Sequence, residues 1–350
     1  MKYAKYIKMC QTHKRLNKKP KGGKKMKKRL LTALLTGAMV MGMTMGSVHA
    51  EEATSDHSDQ LYIQVAALSN LPYFADHMLG METVGKELGV QTEYVGPADY
   101  DLDAMIEAFQ TAIAKKPNGI VVVGFDDSLG AMVDQAWDAG IPCVVVDGDI
   151  NNCKKLAFVG TGNVAAGEQG GQYVADALDG KGKVAILTKP GQGNLEQRIE
   201  GYMNVFDQYP DIEVVQTGDT QSDSTVAAQV TATILQQYPD LDCIVCAEAA
   251  GGSGAATAVK EAGKEGQVKI ICFDRDDEVV QSIEDGVITA SLVQQTALMP
   301  YYAVEILMAY NNSNIEITSD NEAAGLTGTP VSIDTGSVIM DINNVEYFKR

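Results

Sequence analysis

Two apolar runs in this chain stop abruptly at acids. Gly140 to Ile150 (GIPCVVVDGDI) ends in Asp147 and Asp149, and Val268 to Asp276 (VKIICFDRD) ends in Asp274, Arg275 and Asp276. Carboxylates accept strongly from neutral hydroxyls, so acids at two such ends could hold a polyhydroxylated ligand. Glu248 and Gln294 follow further apolar runs at 241–247 and 287–293. Arg198, in the amphipathic stretch 194–208, can form bidentate bonds with vicinal hydroxyls or with a carboxylate. Tyr73 and Phe74, in the run Asn70-Leu71-Pro72-Tyr73-Phe74, offer faces for the apolar side of a sugar ring, although one of the two is expected to pack a helix onto its sheet. Taken singly, each of these residues is as well explained by packing or by a solvated surface. Their recurrence at run ends is what points to a hydrogen-bonding cage.

Catalytic patterns are scarce. The histidines are His13, His49, His57 and His77, none beside a serine or cysteine motif, which leaves nucleophilic triads little to work with. No GxxxxGK[ST] loop occurs, and Gly160-Thr-Gly162 and Gly191-Gln-Gly193 lack the third glycine of a dinucleotide fingerprint. Ser253 in GGSGA lacks the closing glycine of a nucleophile elbow. Asp147-x-Asp149-x-Asn151 begins like a calcium loop, but Asn152 and Phe158 stand where glycine and glutamate are needed. The expectation is therefore a binder: no catalytic residue, no metal and no cofactor.

The elements that must position these residues alternate. Strand candidates lie at 61–68, 90–95, 118–124, 142–147, 183–188, 212–216, 241–247, 268–273 and 287–293. Helical stretches lie at 73–88, 101–115, 128–139, 163–179, 194–208, 222–237 and 251–263. A βαβ succession with β-branched strands predicts parallel sheets covered by helices on both faces. In such sheets ligands bind at the C-terminal edge of the strands, where the acids fall. The segment from Lys116 to Asp149 echoes that from Tyr238 to Asp276, which suggests two similar lobes. A length of about 300 residues beyond residue 50 suits two lobes as well.

Residues 1 to 50 hold 13 of the 28 basic residues and no acid, and the rest of the chain carries a net charge of −31. The basic stretch, the apolar run from Leu30 to about Met45 and the small residues Val48 and Ala50 predict an export signal over 1–50, cleaved after Ala50. Met26 could by itself start a signal of ordinary length. The acidity beyond it argues against nucleic acid and anionic membrane partners. Of Cys143, Cys153, Cys243, Cys246 and Cys272, an odd number leaves at least one thiol unpaired. Cys243 and Cys246 are expected on opposite faces of one strand, since side chains alternate there.

In order and spacing, these residues resemble the extracytoplasmic sugar-binding proteins of ABC transporters, in the ribose- and galactose-binding branch of the type I periplasmic binding family. The resemblance covers nearly all of 58 to 340. It is carried by Asn70 to Phe74, GIPCVVVDGD, Phe158-Val-Gly-Thr-Gly-Asn163, Arg198-Ile-Glu-Gly201, Phe273-Asp274 and Gln294. It implies an α/β fold of two Rossmann-like lobes with parallel sheets, 58–161 plus 295–325 and 162–294 plus 326–350. Three crossovers near 160–163, 293–296 and 323–328 would form the hinge. It implies ligand contacts at Tyr73, Phe74, Asp147, Arg198, Asp274 and Gln294, with Asp149 and Glu248 as variant acids in the same site. Departures at Leu71, Gly148, Ser222 and Glu248 imply a pocket less aromatic and more acidic than a ribose site. The implied function is capture of a monosaccharide or similar polyol between closing lobes and delivery to an ABC permease. Alternatives on the same fold are a ligand-presenting sensor for a chemoreceptor or histidine kinase, autoinducer-2-like ligands included, and more remotely a transcription regulator or an enzyme. The chain is expected to be a periplasmic or otherwise extracytoplasmic monomer, with no lipoprotein cysteine after the apolar run.

Overall fold

The computed structural model describes residues 56–349 apart from 71, 314 and 322. The expected signal over 1–50, with Met26 and the cleavage position, lies outside the described residues, as does Leu71.

The first half runs β1 (Leu61–Val65), α1 (Pro72–Leu88), β2 (Gln91–Val95), α2 (Leu102–Ala114), β3 (Gly119–Val123), α3 (Gly130–Asp138), β4 (Cys143–Val146) and β5 (Ala157–Gly160). Then come α4 (Asn163–Ala177), β6 (Lys181–Thr188), α5 (Gly193–Phe206), β7 (Asp211–Asp219), α6 (Ser224–Gln237) and β8 (Cys243–Cys246). These lead to α7 (Ala249–Glu261), β9 (Lys269–Phe273), α8 (Asp277–Glu284) and β10 (Ala290–Gln294). After them follow α9 (Leu298–Asn312), β11 (Ser332–Asp334) and β12 (Ser337–Asp341).

The strands form two sheets of one design. The first is ordered β2-β1-β3-β4-β5-β11 and the second β7-β6-β8-β9-β10-β12. All neighbours are parallel except β10 and β12, which are antiparallel with Gln294 opposite Ser337. In each sheet the winding reverses beside the first strand, between β1 and β3 or between β6 and β8, and ligand crevices open at such points.

Burial explains the composition of the strands. Each residue of β3 (GIVVV) and β4 (CVVV) is buried because helices cover both faces. One core fills the first lobe, with Ile63, Val121, Val145, Phe109 and, from α9, Val304 and Leu307. In the second lobe the two faces are distinct. Cys243 and Val245 pack with Tyr202 and Phe206 on one side, Ile244 and Cys246 with Leu235 and Val259 on the other. The expected alternation of Cys243 and Cys246 holds, and all five described cysteines are free.

Close helix packing repeats between the lobes. A Cβ on Gly80 of α1 would come within 2.1 Å of Ala297 O, and one on Gly201 of α5 within 2.1 Å of Val164 O. Only glycine allows α1 to lie so near the start of α9, and α5 so near the start of α4. Side chains also fix the helix starts: Asp101 accepts from Ala104 N for α2, and Asp223 from Val226 N for α6.

The chain passes between the sheets three times. The first two passages follow β5 and β10. The third, expected around 323–328 with the tail from 326 returning to the second lobe, comes later. Residues 332–334 pair in parallel with β5, with Phe158 N donating to Val331 O and Thr335 N to Gly160 O. The edge of β5 offers unpaired backbone groups, and β11 satisfies them before the chain leaves at Thr335–Gly336.

Candidate functional site

Asp147 follows β4 and Asp274 follows β9, and both adopt the left-handed backbone conformation, with φ of 69° and 71°. Aspartate tolerates this region better than most residues. The backbone N–H of each is held by the neighbouring strand, Asp147 N to Val159 O at 3.1 Å and Asp274 N to Leu292 O at 2.8 Å. The chain thus turns sharply at the sheet edge in both lobes, and each carboxylate is buried there.

In the second lobe a network surrounds Arg198, which α5 carries into the interior. Its Nε donates to Asn163 Oδ1 (2.9 Å), Nη1 to Ala247 O (2.8 Å) and Nη2 to Gln294 Oε1 (2.7 Å). The guanidinium lies over the Phe273 ring, 4.1 Å from its centroid. Gln294 in turn donates to Asp274 Oδ1 (2.8 Å) and accepts from Thr161 Oγ1 (2.9 Å). Arg198, Gln294 and Asp274 are therefore one connected unit, tied to the first crossover through Thr161. Glu248 borders it as the cap of α7, accepting from Ala250 N, Gly251 N and Thr220 Oγ1. Burial raises the Glu248 carboxyl above its ordinary pKa, and these bonds oppose the shift.

From the first lobe, Tyr73 at the start of α1 donates its hydroxyl to Asp147 Oδ1 (2.9 Å). Desolvation pushes the Asp147 pKa up to about 7, against the pull of the Tyr73 hydrogen bond and Arg198. Behind Tyr73 lies His77, whose Nδ1 accepts from Gln64 Nε2 at 2.8 Å, and whose pKa burial lowers to about 3. Phe74 is in the core, packed edge-on against Phe125 with ring centroids 6.2 Å apart.

The lobes also meet directly. Arg275 Nη2 donates to both carboxylate oxygens of Asp76 in α1, at 2.8 and 2.7 Å, and Thr296 Oγ1 adds a third bond at 3.0 Å. Between Tyr73, Asp274 and Gln294 the space amounts to about 10 Å³, far below the volume of a sugar ring. A ligand can reach this cage only if the lobes separate first.

Of the residues expected from the sequence, the structure gathers Tyr73, Asp147, Arg198, Asp274 and Gln294, with Glu248 at the border. It does not bring Phe74 or Asp149 among them. Asp149 is exposed, ion-paired with Lys155, and accepts from Ile150 N. Asn70 turns outward to Asp99. Sequence reasoning passed over Gln64, His77, Asp76, Arg275, Thr161 and the role of Asn163. One signal was available: Gln64 interrupts the apolar strand LYIQV, and a fully buried glutamine requires partners. Among the described residues no cluster of His, Cys, Asp or Glu could hold a metal, and no helix is long and apolar enough to cross a membrane.

The profile of the periplasmic binding protein domain family matches residues 65–314. The D-allose-binding periplasmic protein of Escherichia coli K12 is 32% identical over 246 residues, covering 67% of this chain and 79% of the relative. A sugar-binding protein of a sugar ABC transporter from Bacillus halodurans superposes with a TM-score of 0.78 at 32% identity, covering 83% of this chain and 100% of that one. The arabinose-binding protein AraP of Geobacillus stearothermophilus gives 0.77 at 31% identity, covering 83% and 99%.

Proposed function

This chain belongs to the periplasmic binding protein domain family, as an extracytoplasmic binding protein that takes a small sugar or polyol for an ABC transporter, and we propose that its ligand is a neutral monosaccharide. Within the family we place it in the ribose- and galactose-binding branch, and we assign residues 1–50 to export. The relatives are named for sugar binding and transport, not for catalysis.

The observation that carries this reading is the convergence of Asp147 and Tyr73 from one lobe on Arg198, Gln294 and Asp274 from the other. These groups supply acceptors and donors in alternation, which suits hydroxyls, since each hydroxyl both donates and accepts. Arg198 spends three of its donors on neutral protein acceptors and stands near two buried carboxylates. A ligand carrying its own carboxylate would face repulsion uncompensated by a free cation, so sugar acids are disfavoured. Tyr73, the aromatic that reaches the cleft, supplies the stacking face.

Binding is a conformational event on this reading. The ligand enters an open form and then bonds to both lobes. Contacts made only when the lobes close shift the population toward the closed form, which the permease recognises. The three passages at 161–162, 295–297 and 335–336 are the hinge.

A thermal-shift screen of the chain from Glu51 tests the assignment, using pentoses, hexoses, inositols, sugar acids and autoinducer-2. A ligand at about 100 times its dissociation constant adds about 2.7 kcal/mol. One neutral monosaccharide is expected to raise the melting temperature, with the shift lost in Arg198→Ala and Asp274→Ala. Stabilisation by amino acids or nucleosides, with no response to any sugar, would refute it.

A further inference from the structure

Around Tyr73 three buried polar atoms lack a partner, Gln64 Oε1, His77 Nε2 and Asp147 Oδ2, and the last two form a pair. Asp147 Oδ1 accepts from the Tyr73 hydroxyl, but Asp147 Oδ2 is buried with no partner, and so is His77 Nε2. The two atoms face each other 3.9 Å apart. His77 is fully buried and Asp147 nearly so, and a buried polar atom without a partner costs roughly 1–3 kcal/mol. Two such atoms side by side just beyond the end of β4 call for a common partner.

The state of the imidazole is coupled to its other side. With Gln64 Nε2 as the donor to Nδ1, Nδ1 carries no hydrogen and the ring proton sits on Nε2, facing Asp147, while Gln64 Oε1 is left without a partner. The ring is held by Phe74, at 5.0 Å between centroids, and by Tyr73, at 5.8 Å. A neutral N–H donor and, once Asp147 is ionised, a carboxylate acceptor at this separation are too far apart to bond each other. They are matched to one oxygen lying about 2.8 Å from each, which accepts from the imidazole and donates to the carboxylate. A hydroxyl does both with a single atom, whereas an ether oxygen cannot donate and an ammonium cannot accept.

We propose that His77 and Asp147 together form a hydroxyl-reading subsite, with Gln64 setting the tautomer, and that this subsite discriminates among monosaccharides by one ligand hydroxyl. The inference rests on the neutral-sugar reading above and deepens it. His77 is then a specificity-determining residue that touches ligand, and Gln64 is a positioning residue. A site built to bond a hydroxyl rejects the analogue lacking it, because its own buried groups stay unpaired.

The experiment measures dissociation constants for D-allose, D-ribose, D-xylose, D-arabinose and xylitol, and then for the monodeoxy analogues of whichever binds tightest. Wild type is compared with His77→Leu and with Gln64→Leu/His77→Leu, the latter leaving no buried glutamine without a partner if the single variant folds poorly. Wild type is expected to lose roughly 10- to 100-fold at one deoxy position. In the double variant the penalty at that position falls at least about fivefold, while every other position stays within about twofold. Equal weakening toward all analogues would mean that a resident water bridges the two atoms, and would overturn the subsite while leaving the sugar reading intact. The series adds any sugar that raises the melting temperature in the thermal-shift screen; if wild type binds no sugar at all, the sugar reading fails and the subsite with it.

Discussion

His77 and Asp147 make the pH dependence of folding a sharp test of how the cleft is built. Burial holds His77 neutral, with its pKa lowered from 6.5 to about 3, and keeps Asp147 protonated below about pH 7, with its pKa raised from 3.8 to about 7. A depressed histidine costs stability as pH falls from 6.5 toward 3, because the unfolded chain takes up a proton that the fold refuses. A raised aspartic acid costs stability as pH rises from about 4 to about 7, because the fold keeps a proton that the unfolded chain releases. In the shared window, roughly pH 4.5–6.5, each state holds one proton, on Asp147 when folded and on His77 when unfolded. The two slopes cancel in the wild type. Replacing either group unmasks the other. Asp147→Asn should gain stability with rising pH, relative to wild type, at a slope approaching about 1.4 kcal/mol per pH unit. His77→Leu should show the same slope with opposite sign, since burial raises the Asp147 pKa with help from Asp274 and against Tyr73 and Arg198, and the charge of His77 plays no part. Urea denaturation of the ligand-free protein at half-unit intervals measures this, and differences from wild type remove the slope of the exposed carboxylates. Parallel curves for all three proteins would show that these side chains are hydrated in solution, and would refute the dry cage described above.

Three further outcomes follow from the geometry. Asp76→Ala removes the paired bonds to Arg275 between lobes; with Arg275 about a quarter exposed, the loss should be about 2 kcal/mol, charged to the closed form. Small-angle scattering should then show a larger ligand-free radius of gyration than wild type, and an unchanged radius would mean that the pair does not bias closure. Gly201→Ala should cost about 3 kcal/mol in chemical denaturation, as its methyl meets the Val164 carbonyl, while Gly193→Ala, with open space around it, should stay within about 0.5 kcal/mol. Thiol titration of the chain from Glu51 should modify Cys153 alone in the native protein, because Cys143, Cys243, Cys246 and Cys272 are buried and burial raises their pKa values; rapid reaction of a second thiol would contradict the packing.

The parallel sheets were legible because strands covered on both faces must be continuously apolar, as GIVVV and CVVV are. The same rule hid the edges. β11 (SID) is largely exposed, so it carries no apolar run, and β5 spans only four residues. α9 escaped notice because it is apolar on much of its surface and carries Pro300 near its start, which masks its period. At the site, the acids ending β4 and β9 were visible as breaks in composition. Which of two neighbouring acids turns inward was not, since that depends on the left-handed turn at Asp147 and on Lys155 claiming Asp149. Tyr73 and Phe74 divided for a simple reason: successive residues on a helix point about 100° apart, so one faces the cleft and the other the core. His77 was discounted as a catalytic group, and only the contact with Gln64 reveals its other use.

The paired glycines Gly80 and Gly201 have a consequence for how a ligand is oriented. Each marks the same close approach in its own lobe, and three residues before each stands His77 or Arg198, while Asp147 and Asp274 end corresponding strands. The frame is thus nearly symmetric about the cleft, and a symmetric frame alone would accept a ring in either of two opposed poses. What breaks the tie is the unequal filling of equivalent places, a neutral imidazole on one wall and a guanidinium on the other. The duplicated scaffold supplies the grip, and the mismatch between its halves tells the protein which way round its ligand lies.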